Sequence, residues 1–289
     1  MLKILLIGRS GQLGGSILAE PRGHQIYAPD REILDIEVAK SCEDVVDKFE
    51  PDVVINTAAF HNVPQCEVEP LRAFAVNCVA VRNLAAICAK KGILFVTFST
   101  DYVFGGDQRI PYSEDCGADP IQMYGISRLS GEHAVLATAP ENAIVVRTCG
   151  LYGRNGAASK GGNFIDKRIN DAQNADELAM GCDQVVAPTY TVDLADAVLR
   201  LIEHPEVSPG IYHLVNQGEC TWYEFTKAIY EMMNIKINLQ PVDRGGRSGD
   251  MRRPLYSVLG NFKASVLGIT LPHWKDALKR YLIQKYKND

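Results

Sequence analysis

Hydrophobic residues gather in short unbroken runs at Ile4 to Ile7, Gln25 to Ala28, Val53 to Asn56, Leu94 to Ser99 and Ile144 to Arg147. Such Val/Ile/Leu runs lack polar alternation, which fits strands covered on both faces. Between them, Gln12 to Leu18, Val38 to Phe49, Leu71 to Lys91 and Ser127 to Thr138 carry apolar residues at helical spacing. Strand and helix alternate, so the pattern predicts an α/β fold with a doubly wound parallel sheet. Pro51 precedes the third strand, where a missing amide donor is tolerated.

The second half is less regular. Residues 154–163 are polar and glycine-rich and read as a loop of the kind that closes over ligands. A helix over Asp193 to Leu199 and a strand over Ile211 to Val215 bring the chain back to the sheet. Thr221 is placed to cap a helix reaching Met233, with Glu224 completing a capping box. Ile235 to Val242 reads as a strand, and Pro272 to Tyr286 as an amphipathic helix. The expected division is a Rossmann domain from residues 1–150 and 185–230, with a smaller, discontinuous substrate domain from 151–184 and 231–289.

With 289 residues the chain can bury a sizeable core without disulfide or metal staples. Its net charge of −5, with Lys and Arg dispersed among acids, argues against nucleic acid as a partner. The apolar start, Leu2 to Ile7, is too short for a signal peptide or membrane span, so a cytoplasmic protein without membrane contact is expected. The eight cysteines include no C-x-x-C pair, which supports neither a zinc site nor a redox motif, and no carboxylate cluster identifies a magnesium site. Cys149 lies near the candidate chemistry, but no histidine accompanies it locally to make it a nucleophile.

Gly8, Gly11 and Gly14 form a GxxGxxG turn between the first strand and first helix. Gln12 and Leu13 lie inside the turn. Glycines there allow pyrophosphate to approach closely, its charge set against free helix amides. After the second strand, Asp30 is placed to bind ribose hydroxyls and Arg31 to meet a 2'-phosphate, so NADPH is slightly favoured and NADH remains possible. Asp35 can bond an adenine amine or cap the following helix. Ala58, Ala59 and Phe60 follow the third strand and offer room either for a cofactor or for tight packing. Asn77, within a helix, reads as support for the site.

Thr100 ends the fourth strand, where doubly wound sheets bind ligands, and its hydroxyl can position a carbonyl. Tyr124 can supply the proton if its phenol is poised well below its free value near pH 10, and Arg128, one helical turn on, favours the phenolate. The same two residues would also make an ordinary pair on a helix face.

The combination of Gly8 to Gly14, Leu34-Asp35-Ile36, Asn56 to Phe60, Ser99 to Phe104, Tyr124-Gly125, Gly131-Glu132, Arg147-Thr148, Asn163-Phe164, Asp183-Gln184, Pro188-Thr189 and Arg253-Pro254 spans nearly the whole chain. It resembles the dTDP-4-dehydrorhamnose reductase family within the extended short-chain dehydrogenase/reductase superfamily. The resemblance implies reduction of a nucleotide-sugar 4-keto group by NAD(P)H, for cell-surface polysaccharide. It implies Tyr124 as proton donor, Thr100 as carbonyl-positioning group and Asp101 beside the substrate. It also implies cofactor contacts from Gly11, Gln12, Leu13, Asp30, Asp35, Ile36, Ala58, Ala59 and Phe60, and substrate contacts from Asn163 and Arg253. Homodimers are common in that family.

Two positions depart from the family pattern. Arg128 stands where the family has a lysine that binds the nicotinamide ribose and relays protons, and a guanidinium relays them poorly. Gly150 stands where a tryptophan commonly faces the sugar, which leaves room for a differently shaped substrate. Three activities therefore stay open: a 4-ketoreductase, a related reductase or epimerase for another sugar, and a catalytically weak NADP-binding regulatory subunit.

Overall fold

A computed structural model describes residues 1–155, 162–249 and 251–286. Six parallel strands form the central sheet: β1 (Lys3–Ile7), β2 (Gln25–Tyr27), β3 (Val53–Asn56), β4 (Leu94–Thr100), β5 (Ala143–Thr148) and β6 (Gly210–His213). Their spatial order is β6-β5-β4-β3-β1-β2. Successive side chains on a strand point to opposite faces. Ile4, Leu6, Val53 and Ile55 accordingly pack under helices Gln12–Ala19 and Thr191–Glu203, while Leu5, Ile7, Val54 and Phe95 pack under Ala39–Phe49, Val81–Lys90 and Met123–Thr138. Burial on both sides is why these strands read as continuous apolar runs. The expected doubly wound sheet is present.

β1 lies between β2 and β3, so the chain leaves it in opposite directions and a crevice opens beyond the carboxyl ends of β1 and β3. The glycine turn and the segment Thr57 to Phe60 meet there.

The helix expected from Leu71 to Lys91 is a run from Pro70 to Lys90 with a π segment at Ala75–Ala80. It is long and apolar enough by composition to cross a membrane, yet half of its most apolar window is buried inside the fold. The wider π turn carries Asn77, and such turns are frequent at functional sites. Helix Met123–Thr138 starts four residues before the expected Ser127. Its cap is the side chain of Gln122, which accepts from the Gly125 N–H at 2.6 Å, and glutamine is not among the usual capping residues.

A third apolar cluster joins helices Phe164–Gln173, Trp222–Met233 and Trp274–Tyr286 around Tyr152, Tyr190 and Tyr281. The Tyr152 and Tyr190 rings stack at 5.6 Å, and Tyr281 meets Tyr152 edge-on at 5.4 Å. Strand Asn238–Val242 pairs in parallel with Glu177–Gly181 at the edge of this lobe. The capping box expected at Thr221 and Glu224 is formed. Within 185–230, helix Thr191–Glu203 and β6 pack on the sheet, whereas Trp222–Met233 packs in the third cluster. We therefore propose that the sheet lobe ends soon after β6 and that the substrate lobe begins with Trp222. Most of the glycine-rich loop expected at 154–163 lies outside the described residues.

Candidate active site

The glycine turn is built by close approach. Gly8 has φ +92°, and a Cβ on Gly14 would sit 2.2 Å from the Gly8 carbonyl oxygen, so neither position accepts a larger residue without displacement of the turn. Gly11 donates its N–H to that same carbonyl at 3.0 Å, and helix Gln12–Ala19 starts without a side-chain cap. Its first amides therefore have no side-chain acceptor and suit a phosphate. Across the crevice, Asn77 grips Phe60 as a strand partner would. Its Oδ1 accepts from the Phe60 N–H and its Nδ2 donates to the Phe60 carbonyl, both at 2.9 Å. Ala58 is held by its N–H to Asn56 Oδ1 at 3.1 Å. Asn77 thus supports the wall formed by Ala58, Ala59 and Phe60.

At the far end of the crevice Asp30 is exposed, with Arg9 of the glycine turn 3.6 Å away. Arg31 is engaged by Asp35 and Glu37, each at 3.1 Å, and Glu37 is shared with Arg72. Arg9, which the sequence reading did not single out as a contact, also reaches the Ala28 carbonyl at 3.2 Å, between the two cofactor-facing turns. Burial raises the Asp35 carboxyl, but the Glu37 N–H and Arg31 together hold it below the ordinary range. Asp35 accepts from the Glu37 N–H at 3.0 Å and so closes a local turn, while the following helix, Ala39–Phe49, starts at Val38 without a side-chain cap, so Asp35 does not cap it. Leu13 and Ile36 are buried in the two apolar layers that flank the sheet.

The reacting end lies where helix Met123–Thr138 meets the end of β4. A Cβ at Gly125 would stand 2.0 Å from the Tyr102 carbonyl oxygen, and one at Gly131 would stand 2.1 Å from that of Asn77. These contacts draw the helix against both segments, bringing Tyr124 to Thr100 and Arg128 to Asn77. The Thr100 hydroxyl is close enough to Tyr124 to stabilise its phenolate, as does Arg128. Burial nevertheless outweighs both, and the phenol is raised above its ordinary value. This corrects the expectation of a lowered pKa: desolvation penalises the anion more than one cation recovers.

Arg128 is 5% exposed and donates to Asn77 Oδ1 at 3.4 Å, and its Nε has no partner among the described residues. Arg253 donates to the Tyr102 hydroxyl at 3.2 Å, and its buried Nε is likewise unpartnered. Neither guanidinium has a carboxylate within ion-pair distance among the described residues. One buried and one half-buried cation without acids suit an anionic, hydrogen-bonding ligand.

Asp101 and Asn163 sit deeper than expected. Asp101 is 4% exposed, and its carboxylate accepts from Thr100 at 2.9 Å and Ser257 at 2.6 Å. Asn163 caps helix Phe164–Gln173 and donates to the Gly153 carbonyl at 2.6 Å and the Tyr281 hydroxyl at 3.0 Å. Its amide is spent on structure, so Asn163 is not brought to the crevice as a substrate contact. Gly150 is constrained by its backbone: with φ +55° a side chain there is strained, and a Cβ would stand 3.2 Å from Pro188 Cα and in ordinary contact, at 3.5 Å, with the indole of Trp222. The ring of Trp222, from another helix, lies beside the position that sequence alone reads as vacated. Burial pushes the Cys149 thiol well above its ordinary value, which suits a buried packing group and not a nucleophile. Among the described residues no cluster of His, Cys, Asp and Glu is arranged to hold a metal ion.

Tyr102 meets the Tyr124 ring edge-on at 6.3 Å, Ser257 donates to Asp101, and Trp222 lies beside Gly150. Sequence reasoning did not assign them: Tyr102 is covered only within the Ser99 to Phe104 motif, and Trp222 and Ser257 arrive from distant segments with no spacing that links them to Tyr124.

The model of the RmlD substrate binding domain family matches residues 2–287. The chain is 36% identical over 287 residues to the spore coat polysaccharide biosynthesis protein SpsK of Bacillus subtilis, covering 99% of this chain and 98% of that one. It is also 36% identical to the dTDP-4-keto-6-deoxy-D-glucose reductase of Streptomyces niveus, covering 95% and 94%. The crystal structure of dTDP-4-dehydrorhamnose reductase from Bacillus anthracis in complex with NADP superposes with a TM-score of 0.91 at 33% identity, covering 98% and 99% of the two chains. The glycine turn, the Thr100–Tyr124 pair and the full-length match converge: the chain belongs to the RmlD substrate binding domain family, among the dTDP-4-dehydrorhamnose reductases.

Proposed function

We propose that the protein reduces the 4-keto group of a dTDP-sugar with NADPH, converting dTDP-4-dehydro-L-rhamnose to dTDP-L-rhamnose. The observation that carries this reading is the convergence of Tyr124, Thr100 and two acid-free guanidiniums at the carboxyl end of β4, beside the crevice. The close-packed Gly8 and Gly14, the uncapped helix start and the orphaned Arg128 Nε fit a dinucleotide. Gly8, Gly11, Gln12 and Gly14 would hold its pyrophosphate, with the backbone of Leu13 and Ile36. Asp30, Arg9, Arg31 and Asp35 would border the adenosine, and Ala58, Ala59, Phe60 and Arg128 the nicotinamide half. Arg9 and Arg31 are cations at the end where a 2'-phosphate belongs, and the Bacillus anthracis relative carries NADP.

When bound, the reduced nicotinamide supplies the hydride. The chain supplies everything else. Thr100 positions the sugar carbonyl, and Tyr124 gives its hydroxyl proton to the carbonyl oxygen as negative charge develops there. A raised phenol pKa keeps Tyr124 protonated and ready to donate. Arg128, fixed by Asn77, then stabilises the phenolate that forms. Arg253 and Tyr102 would contact the nucleotide-sugar, with Trp222 as the aromatic surface beside Gly150. Replacing a tryptophan at 150 by one from residue 222 shifts that surface, which also favours a second reading, reduction of a related dTDP-4-keto sugar such as the one named for the Streptomyces niveus relative.

The test is NADPH oxidation by purified protein across dTDP- and UDP-linked 4-keto sugars. Turnover with dTDP-4-dehydro-L-rhamnose, lost by about 100-fold or more in Tyr124→Phe, is expected. Tight NADPH binding without turnover on any of these sugars would replace this reading with a regulatory subunit.

A further inference from the structure

After each turnover Tyr124 is left as a phenolate and must recover a proton. Arg128 cannot lend one, because a guanidinium stays protonated throughout. Building on the ketoreductase reading, we propose that Asp101 recharges Tyr124 through the Thr100 hydroxyl, making it a positioning and proton-supplying residue for this reaction. Thr100 Oγ1 donates to Asp101 Oδ1 at 2.9 Å, accepts from the Tyr102 N–H at 3.2 Å and lies beside the Tyr124 phenol, whose anion it stabilises, so a shift of its proton from Asp101 toward Tyr124 links the phenol to a buried carboxyl.

In the step, the proton on Asp101 Oδ1 passes to Thr100 Oγ1 as the hydroxyl proton of Thr100 passes to the Tyr124 oxygen. An O–H bond forms on the phenol, one breaks on the carboxyl, and Thr100 is unchanged. The carboxylate left behind is held by Ser257 at 2.6 Å and by the Cys149 thiol until water returns its proton. Burial raises the Asp101 carboxyl despite those donors, which brings its neutral form within reach. The titratable groups facing it are Cys149, Tyr102 and Tyr124, with Arg253 one phenol away beyond Tyr102 and Arg128 beyond Tyr124. Protonation also decides where Thr100 points. An ionised Asp101 draws the threonine proton away from the substrate, whereas a neutral one donates to Thr100 and frees it.

The test compares kcat against pH, at saturating NADPH and dTDP-4-keto-sugar, for wild type, Asp101→Asn, Arg128→Lys, the double variant and Ser257→Ala. Asp101→Asn is expected to lower kcat about tenfold or more with NADPH affinity retained, and to move the alkaline limb up to that of the phenol. In the Arg128→Lys background the same change is expected to cost less than about threefold, since an ammonium can pass protons itself. Ser257→Ala removes a bond that favours the carboxylate, so the alkaline limb is expected to rise; this arm stands even if Asp101→Asn does not fold. An equal loss in both backgrounds, or an unmoved limb in Ser257→Ala, would overturn the relay alone. No turnover by wild type on any sugar would sink the ketoreductase reading and the relay with it.

Discussion

Two arginines lie almost fully buried, Arg147 at 3% exposure and Arg128 at 5%, in surroundings that treat their charges in opposite ways. Arg147, on β5, is clasped by Glu132 through Nε at 3.0 Å and Nη2 at 2.6 Å, and its guanidinium covers the Phe104 ring at 5.1 Å. Arg128 has an amide oxygen at 3.4 Å and an unpartnered Nε. Glu132 follows Arg128 by four residues on one helix and would be its natural ion-pair partner. It turns to Arg147 instead. The interior beneath β5 is thus a closed polar network, while the crevice keeps a desolvated charge open. A satisfied buried charge holds structure together; an unsatisfied one is held in readiness for a ligand.

The comparison can be broken from either side. Glu132→Ala leaves Arg147 as an uncompensated buried cation, and a loss of about 3–5 kcal/mol of stability is expected in chemical denaturation. A loss below 1 kcal/mol would mean that the clasp is not structural. His213 belongs to the same closed network, with Nε2 3.5 Å from Arg147 Nη1 and Nδ1 3.1 Å from the Tyr112 carbonyl. Burial and then Arg147 depress its pKa from 6.5 to about 3. Between those values the unfolded chain takes up a proton that the folded chain refuses, so this stability is present above the unfolded value and lost on acidification. Wild type is expected to lose about 2 kcal/mol more than His213→Gln between pH 7 and pH 5, read from denaturation midpoints. Equal slopes would exclude His213 as the acid-sensitive point.

Arg128→Met probes the open side. Removing an unpaired buried charge is expected to leave the Tm of the free protein unchanged or slightly higher, while NADPH dissociation becomes about tenfold weaker by calorimetry. A drop in Tm comparable to that of Glu132→Ala would show that Arg128 is structural after all.

Much of this was legible in the amino-acid order. The five strands of the first half were readable because burial on both faces leaves uninterrupted apolar runs, and the glycine turn because its strand-turn-helix setting is local. Thr100 and Tyr124 could be paired in advance through motifs that lie at the ends of regular elements. Other features were not readable. The early start of helix Met123–Thr138 depends on an unusual glutamine cap, and the fate of Asn163 depends on Tyr281, more than a hundred residues away. Trp222 standing against Gly150 follows from the packing of one lobe on the other, and no local spacing encodes it.

The order of residues by itself determined the doubly wound sheet, the crevice at its switch point and the identities of the groups at the end of β4 that can donate protons, since periodicity and glycine geometry act over a few neighbours. Only the tertiary structure decided how those groups are charged. Desolvation raised Tyr124 where a nearby cation had implied the reverse, and the choice of Glu132 for Arg147 left Arg128 without an acid, because burial and ion pairing are settled by every segment that packs around a site.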